Sequence, residues 1–299
     1  MSNATVPAPR SGWRQLALWF DTGAAVPAAG GAKSIDWLRV LPFAAMHVAC
    51  LGVLWVGFDQ RAMFIAGGLY GVRMFAITGF YHRYFSHRAF TTSRGMQFVF
   101  ACVGASAVQR GPLWWAAHHR KHHRHADTER DVHSPRQHGF WWSHMGWITD
   151  TVNFPTDLHE VRDLARFPEL RLLDRFDVVV PLLLAAVLFL AGGWSFLIWG
   201  FFVSTVVLFH ATCLINSLAH TLGRRRYATD DDSRNSLTLA LITFGEGWHN
   251  NHHRFPGSAR QGFYWWEFDL TYYLLWLLAR VRVIGNLRAV PRRVLEAGA

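Results

Sequence analysis

The sequence predicts an all-α, integral membrane protein with four transmembrane helices in two hairpins beneath a helical cap on one side of the bilayer. Three observations predict it. Of 299 residues, 51% are hydrophobic and 15% aromatic, rich for a chain that folds in water. Uncharged runs of bilayer length recur, and the cationic residues behind a net charge of +10 gather in the segments that those runs leave on a single face.

The stretch 1–35 mixes Pro, Ala and Gly with isolated cations and has no signal-peptide core, so it is expected to be a flexible, uncleaved arm. The membrane domain is expected over 36–285. Its first run, 40–58, is uncharged, and the second, 62–81, is broken only by Arg73. Each would reach roughly 30 Å as a helix, the thickness of the hydrocarbon core. Only Asp59, Gln60 and Arg61 part them, which makes a tight hairpin. Residues 178–223 contain no Asp, Glu, Lys or Arg, enough for spans over about 178–198 and 200–220 that turn at Gly192, Gly193, Trp194 and Ser195. The runs 95–109 and 237–244 are short for spans and are expected to be interfacial or re-entrant. The tail, 286–299, is basic.

Two hairpins put both termini and the cap segments, 82–177 and 221–285, on one face. Residues 82–177 hold 13 Lys and Arg and residues 224–299 hold 11, against one in the first short loop and none in the second. The positive-inside rule then places the cap in the cytosol, beneath the cytoplasmic (inner) membrane. These arginines follow the loops and form no dense stripe, so no nucleic-acid partner is expected. Cys50, Cys102 and Cys213 are scattered through apolar stretches and offer no disulfide framework or cysteine metal site.

The seventeen histidines carry the chemistry. Four clusters stand out: His82 and His87 in HRYFSH, His119, His122 and His123 in HRKHH, Asn216 and His220 in NSLAH, and His249, His252 and His253 in HNNHH. Residues i, i+3 and i+4 share one helix face, so each HxxHH triplet is expected to aim its imidazoles at a common point. His82 and His87 lie five apart, about 140° off one face of an α-helix, so the pair straddles a helix end or serves two metals. Nine imidazoles exceed the needs of one zinc and suit two metals. Imidazole binds Fe, Cu, Ni and Zn, which leaves the metal open. His118 and His125 flank the second cluster as groups that could orient ligands, and His47 and His210 read as packed or hydrogen-bonded side chains. Arg73, a costly charge within a span, is expected to have a partner or to reach the interface. Trp114, Trp115, Trp141, Trp142, Trp147, Trp265 and Trp266 read as tunnel-lining or interfacial residues. The run Arg224, Arg225, Arg226 reads as a positive-inside anchor.

With these boxes in this order, the sequence resembles the membrane fatty acyl desaturases, and in particular the stearoyl-CoA (Δ9) type in a bacterial form without a fused cytochrome b5 domain. NSLAH ahead of EGWHNNHH matches the Asn and His that set that type apart, and Asp131, His133, Ser134 and GFWWSHMGW extend the similarity, which covers residues 36–275. The resemblance implies two irons held by His82, His87, His119, His122, His123, His220, His249, His252 and His253, with Asn216 approaching one of them through water. It further implies O2 as co-substrate, a fatty acyl thioester such as acyl-CoA as substrate, and an external ferredoxin or cytochrome b5-like electron donor. His118 departs from the acidic residue that animal members carry before the second box. The histidine boxes also admit a lipid hydroxylase, an acyl-carrier-protein desaturase, or a non-catalytic metal-binding membrane protein.

Overall fold

The structure, a computed structural model, describes residues 16–24 and 34–298. Helices dominate it, and the only sheet among these residues is the two-stranded pairing of Thr91–Thr92 with Ile284–Gly285.

Helix α1, Trp37–Val56, starts where the Asp36 side chain accepts from the Arg39 amide, and it ends at Gly57, whose φ of 69° favours glycine. Asp59 caps the next helix, α2 (Gln60–Ser86), by accepting from the amides of Arg61 and Ala62. No residue of Trp37–Ala49 is buried. On α1, α2 and later helices, large apolar side chains stand outward, with Leu54 83%, Phe64 84% and Leu190 84% exposed. In water such a surface would be unfavourable, whereas a bilayer solvates it.

Among the described residues three helices are long and apolar enough to cross a membrane, against the four spans expected: α1, α2 and the 40-residue Val179–Leu218. The third is broken. Gly192 and Gly193 leave helical geometry, and φ reaches 62° at Gly193. A Cβ at Gly192 would lie 2.2 Å from the Phe196 ring, so this corner requires glycine. The chain folds back there, because Leu188 comes within 3.5 Å of the Cβ position of Gly200, although twelve residues of straight helix would separate them by about 18 Å. Before the break lies the helix Val179–Ser195. After it come a wide-pitch segment, Phe196–Val203, and the helix Ser204–Leu218.

The cap begins inside α2, where from Ala76 to Ser86 the helix widens to i→i+5 hydrogen bonding and every side chain is buried. Helices α3 (Arg94–Ala105) and α4 (Pro112–His125) pack on this segment. Phe80 stacks on Phe100 at 3.8 Å, and Gly104 lets the Tyr81 ring pass where any Cβ would collide. At 12 residues, about 18 Å, α3 falls short of a span, and the second short run forms only the helix Leu237–Ile242.

Of the expected arm 1–35, residues 1–15 and 25–33 lie outside the described residues. The described parts of this stretch are tied to α1 and the cap: Trp19 donates to Leu38 O, Thr22 donates to Asp174 O, Asp21 pairs with Arg175, and the Ser34 amide donates to Asp150. The basic tail is likewise held, with Val294 buried against Tyr227 and Phe263.

Candidate metal centre

Nine histidines from four stretches of chain meet at the cap end of α2 and form two groups. His82, His87, His119, His123 and His252 make the first, and His122, His220, His249 and His253 the second. Within each group the ligand nitrogens lie within 4.8 Å of one another.

Local geometry explains the assignment. His82 sits on the widened part of α2 and His87 caps its end, where residue i+5 bonds back to residue i: the His87 amide donates to His82 O. Five residues therefore bring the two rings to one side, whereas ordinary α geometry would turn them about 140° apart. The triplets do not each converge on one point, as their spacing suggested. In α4, His119 and His123 enter the first group and His122 the second; in His249–Arg254, His249 and His253 enter the second and His252 the first. Positions i and i+4 differ by about 40° around a helix, but i+3 stands about 100° from i+4 and turns toward the neighbouring group.

The Nε2 atoms converge. His252 Nε2 lies 3.0 Å from that of His82 and 2.8 Å from that of His123. His249 Nε2 lies 3.0 Å from those of both His220 and His253. Four of the nine Nδ1 atoms are tied outward to carboxylates: His122 to Asp131 at 3.0 Å, His220 to Asp127 at 2.7 Å, His253 to Asp231 at 2.7 Å, and His82 to Glu246. A carboxylate fixes the proton on Nδ1 and leaves Nε2 as a bare lone pair. Lone pairs about 3 Å apart repel unless a cation lies between them, and nitrogens bound to one metal at about 2.1 Å have this mutual spacing. The donor set therefore fits two metal ions.

Burial reinforces the fit. It pushes His87, His119, His123, His249 and His252 well below the usual imidazole range, and neighbouring histidines add to the shift. Burial also takes His122 down to about 3, against the pull of Asp131. All six are neutral at physiological pH. Burial alone would raise Asp127 and Asp231, but hydrogen bonds from His220 and His253 hold both low and ionised.

Asn216 lines a cavity of about 290 Å³ that also touches His119 and extends between α1 and the helix Ser204–Leu218 past Phe43, Met46, Thr205 and Phe209. Trp115 stacks on His119 at 5.0 Å in its wall, and Gln109 donates to Thr212 across it at 2.9 Å. Trp114 and Trp147 line it too, whereas Trp141, Trp265 and Trp266 are exposed. His118 joins no metal group; its Nε2 is 3.1 Å from Asn153 O. His125 is outside both groups as well. His47 and His210 are hydrogen-bonded to each other, and His210 continues to His144. Arg226 pairs with Glu267 inside the cap, a structural tie.

Sequence reasoning missed Asp127, Asp231 and Glu246. The signal available was the acidic run Asp230, Asp231, Asp232 and the Glu three residues before His249, but charge clusters of that kind are usually solvated. Changing Asp231 to Asn removes the charge that polarises His253, and metal affinity is expected to fall by about 10–100-fold. Titration of purified protein with a competing chelator measures it; unchanged retention would show the carboxylate to be incidental.

A family model for fatty acid desaturases matches residues 60–283, which include every histidine of both groups. The chain belongs to the fatty acid desaturase family. It is an oxidoreductase that desaturates fatty acids, and it is membrane-associated. It is 40% identical to a chloroplastic palmitoyl-monogalactosyldiacylglycerol delta-7 desaturase of Arabidopsis thaliana, over 86% of this chain and 70% of that one. It is 36% identical to an sn-1 stearoyl-lipid 9-desaturase of Anabaena variabilis, over 87% and 96%. An acyl-CoA 5-desaturase of Anemone leveillei is 39% identical, over 90% and 87%. These relatives differ in the carrier that their names give to the acyl chain.

Proposed function

We propose that the desaturase introduces a cis double bond at the Δ9 position of a saturated acyl chain, presented as a thioester such as acyl-CoA, at a centre of two histidine-ligated irons. The observation that carries this reading is the pair of imidazole groups, five and four strong, at the side of a largely apolar cavity that His119 and Asn216 both line. His82, His87, His119, His123 and His252 would hold one iron, and His122, His220, His249 and His253 the other, with Asn216 reaching the second through water. When bound, the irons supply the O2 activation needed to remove hydrogen from an unactivated methylene, which no side chain can do.

The residues of the chain do the rest. Carboxylates hold four of the imidazoles, those of His82, His122, His220 and His253, in one tautomer, Trp115 and the Gln109–Thr212 bond shape the cavity beside His119, and the packed cap excludes water. Two electrons per turnover come from a separate ferredoxin or cytochrome b5-like protein. The cap faces the cytosol beneath the inner membrane, with four spans below it. In support, the Ser195 hydroxyl donates to Asp59 Oδ2 at 2.6 Å and Trp199 Nε1 donates to Gly57 O, so the first short loop and the glycine break meet at one level.

A second reading, a glycerolipid-bound acyl chain as substrate, is favoured by the lipid 9-desaturases among the relatives. One experiment tests both. The desaturase is expressed in a bacterial host given deuterated stearate, and acyl-CoA and phospholipid pools are sampled by mass spectrometry. Loss of two mass units with a new Δ9 bond is expected, appearing first in the acyl-CoA pool. First appearance in intact phospholipid would select the lipid reading, and a gain of one oxygen would sink desaturation in favour of hydroxylation.

A further inference from the structure

Arg73 is 1% exposed in the middle of α2, about nine residues or 14 Å from His82 toward the far end of the helix. A cation in a span is costly and ordinarily pairs with a carboxylate or snorkels to the interface. Arg73 does neither. Its guanidinium donates to Leu69 O at 3.2 Å, to Ser106 O at 3.3 Å, to Thr205 Oγ1 at 2.6 Å and to Ser204 Oγ, all neutral acceptors. Besides Leu69 on α2 itself, these belong to the turn after α3 and to the first turn of Ser204–Leu218.

Those two elements form the wall of the cavity beside the metal groups. Ser204–Leu218 contributes Thr205, Val206, Phe209, Thr212, Cys213 and Asn216, one helical face that begins at Thr205. No residue of Phe196–Val203 takes part. The turn after α3 contributes Val108 and Gln109, two and three residues beyond the carbonyl that Arg73 holds. The cavity therefore stops where Arg73 ties its two walls together, about 17 Å along the helix from Asn216.

We propose that Arg73 is a specificity-determining residue: by clamping Thr205 and Ser106 it closes the far end of the acyl cavity and fixes how long a chain can be seated for desaturation. This rests on the reading of that cavity as the acyl site. A planar five-donor guanidinium can span two elements at once, which a hydroxyl or amide at this position cannot.

The test is competition. Cells expressing the full chain receive palmitic, stearic and arachidic acids together, and the ratio of their monounsaturated products is read by mass spectrometry. Arg73→Met is expected to move the ratio toward the longer acids by about tenfold, the discrimination that one methylene in an apolar pocket commands. Thr205→Phe, which fills the end, is expected to move it the opposite way. Thr205→Val keeps the shape and removes one anchor; it should move the ratio in the Arg73→Met direction, and it stands in if Arg73→Met fails to accumulate. A changed total yield with an unchanged ratio in Arg73→Met and Thr205→Val, while Thr205→Phe still shifts it, would overturn the role of Arg73 and leave the cavity reading intact. If neither Thr205→Phe nor Met46→Trp on the opposite wall alters the ratio, the cavity itself is not the acyl site.

Discussion

A His252→Ala desaturase is expected to accumulate in the membrane, to leave the lipids of its host at background unsaturation, and to bind about half the iron of the parent chain. His252 is 1% exposed, and its Nε2 lies 3.0 Å from His82 Nε2 and 2.8 Å from His123 Nε2, so it joins three of the histidine clusters at one point. Loss of a group that merely orients a ligand costs about 10–100-fold in metal affinity or activity, and loss of a ligand at the convergence of five should exceed that. His125→Ala is the control, because His125 ends α4 beside His122 and His123 but belongs to neither metal group. Metal analysis of both proteins, with lipid profiles of the expressing cells, makes the comparison. Undiminished desaturation in His252→Ala would undermine the metal-centre assignment as a whole.

The second large effect is on stability. Arg83, 1% exposed, donates to Ala259 O at 2.9 Å and lies 3.0 Å from Glu246 and 2.9 Å from Asp269. Replacing it with Leu leaves two buried carboxylates without their counter-charge, which typically costs about 3–5 kcal/mol. That is a large share of the 5–15 kcal/mol that keeps a domain folded. The unfolding midpoint of Arg83→Leu in detergent should fall steeply, and adding Asp269→Asn should restore part of it, since the second change removes one stranded charge. A midpoint equal to that of the parent would mean that the cluster contributes nothing. Because Glu246 also holds His82, iron retention should fall with the midpoint.

Arg73 and the histidines show how differently the sequence speaks about two kinds of residue. Each histidine of both metal groups was legible, since ligand spacing on helices is a local property that survives in one dimension. Arg73 was legible only as an anomaly, because its partners Ser106, Ser204 and Thr205 are ordinary hydroxyl residues far away in the chain. Asp127 and Asp231 were hidden for the same reason: nothing in a polar loop says which carboxylate will turn inward to meet an imidazole.

Composition, apolar run length and histidine spacing by themselves determined a helical membrane chain, the glycine corner at Gly192 and Gly193, and nine imidazoles with the spacing of metal ligands. All of these depend on residue chemistry and on the fixed rise and turn of a helix. Only the tertiary structure decided which imidazole joins which group. The widening of α2 over Ala76–Ser86 turns His82 and His87 to one side, and the mutual placement of α4 and His249–Arg254 divides each triplet between the two groups. Helical pitch can change with packing, and the direction of a side chain is fixed only once its neighbours are in place, so neither was written in the order of the residues alone.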